Sequence, residues 1–528
     1  MDERYIASID LGSSKIAVSV AEIDGSNVQI VYYREIPSAG VRNSVVFNPE
    51  KAAVCVKTAL AEAEAELKIK ILQLVVGLPR YSVLQQSARA SMERSDKDSS
   101  ITQEEVDFLK NEAADTYPLD DREHDFIYGI VPQSFSTDDL IMASENDIVG
   151  MVSDTLDGYF KVFIGKKRAC ANVDKVMNVA GKAIAGKYFL PEVTAGAVLT
   201  SEEKENGVAL IEIGGGATSV TIYQKNILCH YSSIPFGGKT VTSDIRTECG
   251  TSERLAENIK LAYGACMPEK LLTLRDKIIQ IENKEDGSCK QLSVKYLSEV
   301  ITCRMKEILE ACLYKIQESG YADQLRSGIV LTGGGAMLPN LSAYAKELSG
   351  YNVRIGYPLH KFSYSGCPGV CEPSATASIG MILAAKDNEL LNCLSDKVIL
   401  PQHSADGEPA ETAGISEAAP RPIETAPDSD AETAAEATEA PQTGETKPES
   451  SVQEPIPEHL IPPEEFGDTQ KPKEGGKTPK GGKPAKPAKP AKPKPHITWN
   501  KTPLGKLVSK IANGMDGVIE GLYNDMDE

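Results

Sequence analysis

Apolar and polar positions run through the same order twice along this chain, about two hundred residues apart. From Ile9 the run IDLGSSKIAVSVAEIDGSNVQIVYYREIP, and from Ile211 the run IEIGGGATSVTIYQKNILCHYSSIP, each give an apolar strand, an acidic residue, a Gly-rich turn, two further strands and an Ile-Pro. Repetition of this kind predicts two structurally similar halves. From about Glu3 to Gly77 the pattern predicts three strands, an Ala- and Glu-rich helix from Asn48 to Ile69, and a strand from Gln73. Ser82 to Gly165 reads as a small inserted α/β subdomain. It has a helix opened by Thr102 and Glu105 in capping spacing, followed by the short apolar runs FIYGIV and FKVFIG. A helix near Ala169 to Ile184 leads back toward the second repeat. A second insertion, about Phe236 to Ser293, carries a helix near Ser252 to Tyr263 and a hairpin around Asp286-Gly287. A helix from Val294 to Gln317, a strand from Ser327 and a helix from Ser374 complete a folded part that is expected to end near Leu400.

Beyond it the pattern changes character. Pro401 to about Pro495 is acidic and rich in Ala, Pro, Glu and Thr, then turns into the basic run KPAKPAKPAKPKP. Dense charge with little to bury predicts a disordered linker, extended in its Pro-rich part. Amphipathic periodicity then returns. With Thr502 as N-cap and Pro503 at the first helical position, Leu504, Leu507, Val508, Ile511, Met515, Val518, Ile519 and Leu522 fall within an arc of about 120° at ~100° per residue. Trp499, the only tryptophan, sits just ahead, where a ring at a membrane's headgroup level is expected. The glycines of this segment weaken it as a helix in water, so it reads as one that forms on an apolar surface: a membrane approached by the lysines from Lys471 to Lys494, or a groove on a protein.

Composition narrows the classes. At 528 residues there is room for two or three domains, and a net charge of −20 leaves no basic face for nucleic acid. The 11 cysteines are scattered, with one CxxxC at Cys367 and Cys371 and no second pair to complete a zinc site, which points to reduced thiols in a cytosolic protein. Met1 runs straight into a strand without a leader, and no stretch reaches the ~18 apolar residues of a membrane span, so export is not expected and membrane contact is expected to be peripheral.

The repeats carry the chemistry. Backbone N–H groups of a turn built around Gly12, and of another around Gly214, Gly215 and Gly216, can approach a phosphate closely. Asp10 and Glu212 then face each other from the two strand ends and are expected to hold Mg²⁺ between the phosphates. A third Gly-rich turn, Gly333-Gly334-Gly335, suits a passage under an adenine ring, with Met337 packing on it. Glu257 and Lys260 lie three apart on one helical face, a spacing that suits two ribose hydroxyls and equally suits a surface ion pair.

In the order DLGSSK, IEIGGG, SERLAENIK, LTGGGAMLPN the chain resembles the actin/Hsp70/sugar-kinase superfamily. Within it the chain resembles the FtsA family of bacterial cell-division proteins. The missing insertion before the first helix, the subdomain at Ser82 to Gly165, the PFGGKTVTSDI segment and the terminal amphipathic helix carry that likeness. The resemblance covers about residues 3–388 and the last 30 or so, and the long Pro-rich linker departs from it. It implies an α/β, actin-like fold of two duplicated RNase H-like halves. The first half takes residues 1–81, 166–194 and 357–388, with 82–165 inserted. The second takes 195–235 and 294–356, with 236–293 inserted, before a linker over 401–498 and a membrane-targeting helix over 499–528. It implies ATP with Mg²⁺: Asp10 and Glu212 on the metal; Gly12, Ser13, Ser14, Lys15, Gly214, Gly215, Gly216 and Ala217 on phosphate; Glu257 and Lys260 on ribose; Gly333, Gly334, Gly335 and Met337 on adenosine. It implies filaments of the chain itself that tether the division protein FtsZ to an anionic membrane surface, with other divisome membrane proteins as partners, on the cytoplasmic face at mid-cell. Where actins carry a water-positioning Gln this chain has Gly196, and Glu212 stands where Asp is usual, so slow turnover is expected. A PilM-like pilus scaffold and a sugar kinase share the fold and are the rival readings.

Overall fold

The structure is a computed structural model that describes residues 4–272, 276–282, 289–359, 361–388 and 391–394. The linker over 401–498, the helix expected over 499–528 with Trp499 and its apolar stripe, and the turn at Asp286-Gly287 lie outside the described residues.

The first repeat opens a six-stranded sheet. β1 (Arg4–Leu11), β2 (Lys15–Asp24) and β3 (Asn27–Pro37) form an antiparallel meander. A short ladder follows, β4 (Val41–Arg42) against β5 (Val45–Val46). The helix α1 (Pro49–Leu67) then crosses one face and β6 (Gln73–Gly77) returns parallel to β1. Local chemistry sets the ends of α1. The Asn48 side chain accepts from the Lys51 N–H, Pro49 takes the first position, and Lys68 stops the helix in the left-handed region at φ 56. Its inner stripe of Ala52, Val56, Ala59, Leu60 and Ala63 packs on one face of the sheet with Ala7, Ile9 and Leu11, while Ile6 of the same strand faces the opposite core. Cover on both faces explains why β1 is buried without a break from Ile6 to Leu11.

The chain then leaves for a three-stranded antiparallel sheet ordered β7-β9-β8, from β7 (Leu84–Glu93), β8 (Asp125–Ser136) and β9 (Thr155–Lys166). The helix α2 (Gln103–Asp115) packs on it through Val106, Leu109 and Ala113, and both arms of the predicted Thr102/Glu105 capping box are present. A four-residue turn of helix, α3 (Glu145–Ile148), precedes β9. The next helix, α4 (Lys167–Ala180), is shorter than the sequence pattern predicts. Gly181 adopts the left-handed conformation at φ 69, and the rest of the stretch becomes β10 (Ala183–Tyr188), parallel to β6.

After α5 (Leu190–Val198) and α6 (Ser201–Asn206) the second repeat rebuilds the same unit. β11 (Val208–Ile213), β12 (Thr218–Gln224) and β13 (Ile227–Ile234) form the meander. The helices α7 (Gly238–Cys249) and α8 (Glu253–Tyr263) and a ladder of β14 (Ile278–Glu282) with β15 (Cys289–Ser293) follow. Next comes α9 (Val294–Glu318), whose buried residues join the core under this sheet. β16 (Ile329–Thr332) then pairs parallel to β11, and α10 (Leu341–Ser349) and β17 (Val353–Ile355) complete a five-stranded sheet. The chain finally returns to the first sheet with β18 (Ser363–Tyr364) on β3 and α11 (Thr376–Ala385) against β1 and α5.

Candidate functional site

The two meanders place their acidic residues identically. Asp10, near the end of β1, pairs with Ala17 of β2; Glu212, near the end of β11, pairs with Ser219 of β12. The turns repeat as well. A Cβ on Gly12 lies 2.6 Å from the Lys15 carbonyl oxygen, and one on Gly214 lies 2.8 Å from that of Ala217, so each turn closes around a glycine three residues before the carbonyl it meets.

The fold brings these turns tip to tip. A Cβ on Gly215 collides with Ser14 Oγ, and one on Gly216 lies 2.7 Å from Ser13 Oγ. Ser13 Oγ also accepts the Ser44 N–H at 2.7 Å. The cleft between the halves is therefore shut at the tips, and a phosphate group can enter only if they part. Lys15 is directed away from the contact and pairs with Glu35, which also accepts from Tyr33 Oη and, at 3.0 Å, from Ser374 Oγ. Burial pushes the Glu35 carboxyl up, but Lys15 and the two hydroxyls outweigh it and hold it below the usual range.

The second insertion reaches the same place from above the second turn. The Gly238 N–H donates to the Gly214 carbonyl at 2.9 Å and the Lys239 N–H to that of Gly215 at 2.7 Å, joining the first turn of α7 to the hairpin. Lys260 Nζ lies 2.7 Å from Glu257 Oε2, 2.9 Å from Thr242 Oγ1 and 3.1 Å from the Gly238 carbonyl, and the Thr242 hydroxyl donates to Glu257. This pair is thus an ion pair that ties α8 to α7, one step from the hairpin. On the opposite side, Glu212 pairs with Thr332, which places the third Gly-rich turn directly after the neighbouring strand. Gly333, at φ +83, packs against the Ile213 backbone and Gly335 against the Ile213 side chain, whereas a Cβ on Gly334 meets only Ser374 Cβ at 3.9 Å. Met337 is 47% exposed.

Sequence reasoning missed the residue at the centre. Arg80 is 8% exposed and lies between the two carboxylates, themselves 9% and 7% exposed. One terminal nitrogen is 3.2 and 3.3 Å from the two oxygens of Asp10, and the other is 3.3 Å from Glu212 Oε1. Both halves hold it there. The backbone comes off the end of β6, where the Leu78 N–H donates to the Tyr188 carbonyl at 2.9 Å, and the Tyr231 hydroxyl of β13 donates to the Arg80 carbonyl. Burial works against the guanidinium's charge, yet Asp10 and Glu212 outweigh it and keep Arg80 firmly protonated. Burial likewise pushes the Glu212 carboxyl up, with Arg80 pulling it back down.

The family described as "Cell division protein FtsA" matches residues 209–380. The chain is 30% identical over 388 residues to cell division protein FtsA of Neisseria meningitidis serogroup B, covering 72% of this chain and 90% of that protein. It is 30% identical to the FtsA of Borreliella burgdorferi over 75% of this chain and 94% of that protein. The chain belongs to the FtsA family of cell-division proteins. The FtsA of Escherichia coli K12, 27% identical over 74% of this chain and 92% of its own length, agrees. Among solved structures, a chain of a PilM–PilN type IV pilus biogenesis complex matches with a TM-score of 0.52 at 14% identity, covering 72% of this chain and 98% of that one. At that identity the likeness shows the fold alone, which is actin-like.

As built, this FtsA-family site does not fit the Mg²⁺ expected between Asp10 and Glu212. Magnesium demands near-octahedral oxygen ligands at about 2.0–2.1 Å. Here the guanidinium of Arg80 occupies the approach to both carboxylates. A divalent ion about 4 Å from that guanidinium meets a repulsion on the order of 8 kcal/mol at an effective dielectric constant of about 20. Among the described residues no group of three or more His, Cys, Asp and Glu could hold a metal ion, and no helix is long and apolar enough to cross a membrane. Of the other residues overlooked, Gly237 and Gly238 lie in the PFGGKT segment used for the family likeness. Arg80 had one legible signal. It follows β6 as Gly335 follows β16: Val76 pairs with Ile9, Leu331 with Ile211, and four residues beyond each lie Arg80 and Gly335.

Proposed function

We propose that this chain is an ATP-binding, actin-like cell-division protein that polymerises and tethers FtsZ to the cytoplasmic face of the membrane at mid-cell through its C-terminal segment. The observation that carries the nucleotide reading is the tip-to-tip placement of two identically built glycine turns, with the Gly334 turn entering beside them. Backbone amides of such turns are donors for phosphate oxygens, and the open side of Gly334 suits a flat adenine. The Glu257–Lys260 pair, one step from the Gly214 turn, would take ribose hydroxyls by giving up its contacts with Thr242. Membership of the FtsA family supports the FtsZ, filament and membrane roles, with other divisome membrane proteins as further partners.

Turnover is slow in this reading. Gly196 offers no side chain to orient a water, and its carbonyl is engaged by Lys361 Nζ at 3.4 Å. The deciding experiment is binding of a fluorescent ATP analogue to the full chain and to Gly334→Asp. With 3.9 Å to the nearest neighbour, the substitution leaves the fold intact but puts a carboxylate where the base would lie. A tenfold or greater loss of affinity is expected, and unchanged binding overturns the placement. Phosphate release near ~10 s⁻¹, the median for enzymes, with FtsZ and vesicles present would overturn the slow-turnover reading.

A further inference from the structure

The centre of the cleft is built around a cation that the chain supplies itself. Asp10 and Glu212 hold Arg80 at 3.2 to 3.3 Å, and all three are at least nine-tenths buried. Arginine cannot be deprotonated in a protein, so this charge is permanent. Its position is fixed at both ends: the main chain by the Tyr231 hydroxyl from the opposite half, the side chain by one carboxylate from each half. Arg80 Nε is also buried without a hydrogen-bond partner among the described residues, an unmet donor on a residue that borders the same small recess as Gly214 and Ala217 of the second turn. The internal repeat sharpens the point. Gly335, the counterpart of Arg80, packs so closely on Ile213 that a Cβ there would collide with it, so only one half of the duplication places a charge at this position.

We propose that Arg80 is the resident cation of the cleft: it stands between Asp10 and Glu212 in place of a divalent metal, and it offers its free Nε–H to a phosphate oxygen once the hairpin tips part. Exclusion of metal from the carboxylate pair stands on the ion pairs alone. The phosphate contact rests on the nucleotide reading above. In this arrangement the two carboxylates do not ligate a metal. They orient the guanidinium and engage both of its terminal nitrogens, which leaves Nε–H as the charge-assisted donor for a phosphate oxygen. A metal carried in on the nucleotide's own oxygens would find no ligand in the pair.

The experiment separates the two parts. Mn²⁺ alone is titrated into the full chain without nucleotide, with bound metal read by electron paramagnetic resonance. The wild-type chain and Asp10→Asn are expected to bind the same amount, and a tight Mn²⁺ site in the wild type that Asp10→Asn abolishes overturns the proposal. Arg80→Met frees the pair and is expected to gain a Mn²⁺ site that Arg80→Met with Asp10→Asn lacks. Arg80→Lys, which keeps the charge, is expected to gain none. A folded Arg80→Met chain that gains no site counts against the proposal, and if that variant does not fold, the wild-type comparison decides. A fluorescent ATP analogue is then bound in Mg²⁺ and in EDTA. Affinity of the wild type is expected to change less than twofold, and a tenfold loss in EDTA overturns the phosphate role. Absence of binding in both conditions removes the nucleotide reading itself, while the Mn²⁺ result still judges the exclusion of metal.

Discussion

His230 on β13 shows how much one buried side chain fixes at the residue scale. Gln85 Oε1 accepts the Tyr231 N–H at 3.0 Å, so its Nε2 is the donor to His230 Nδ1 at 2.7 Å, and the ring proton sits on Nε2. Burial first, and then the nearby Lys161 and Lys315 against Glu318, lower its pKa to about 4. An unfolded chain titrates near 6.5, so between the two values the unfolded state takes up a proton that the folded state refuses. Stability contributed by neutral His230 is therefore complete above about pH 6.5 and is lost as pH falls through about 4, by up to about 3 kcal/mol. The urea midpoint of the full chain should fall across that window more steeply than that of His230→Gln; equal slopes would assign the pH dependence to other groups. Residues with this kind of role are hard to read from sequence. Asp10, Gly12, Glu212 and Gly214 stand out because the repeat prints them twice, whereas His230 acts through a partner 145 positions away that no local pattern marks, and Arg80, 70 positions from Asp10, is marked only by its place after β6.

Among the elements, the crossing of α5 and α11 joins the first sheet to the segment that leads into the second. Gly380 makes it possible: a Cβ there collides with the Val193 carbonyl. Gly380→Ala is expected to force the helices apart and destabilise by about 1–3 kcal/mol, the usual range for overpacking. Gly196, on the same α5, has nothing within 4 Å of its Cβ direction, so Gly196→Ala should raise stability by about 0.5–1 kcal/mol through helix propensity. Urea midpoints of the two variants moving in opposite directions support the crossing; a neutral Gly380→Ala refutes the close approach. Elements with a chemical start or a long apolar run were legible: α1 from Asn48 and Pro49, α2 from its capping box, the two meanders from their repeat. β7 was not, because LQQSARASME buries only Ala90 and draws its place from pairing along β9 rather than from a hydrophobic face of its own. β10 was hidden by the helical spacing of the residues before it, which Gly181 cuts short.

Across the whole molecule, the membrane role proposed above would work through number. Folded as the helix expected from the sequence, Leu504, Leu507, Val508, Ile511, Met515, Val518, Ile519 and Leu522 would give an apolar face, while Asp516, Glu520 and Asp525 near its end would oppose an anionic surface. The lysines from Lys471 to Lys494 favour that surface by up to about 1 kcal/mol each, a contribution that salt screens within a Debye length of about 8–10 Å. One tether of this kind would hold weakly, whereas many on one filament would hold together, since each bound segment would keep the next at high effective concentration. Glutamate at both Leu507 and Ile511 forces charge into the acyl boundary and should release the full chain from anionic vesicles in a flotation assay. Raising salt should weaken the approach and spare much of the apolar anchoring. Polymer should float at vesicle concentrations where monomer does not; monomer that floats equally well removes the role of number. Flotation that survives both glutamates removes the membrane anchor itself and leaves the segment to a groove on a protein, where the same apolar stripe would find its cover.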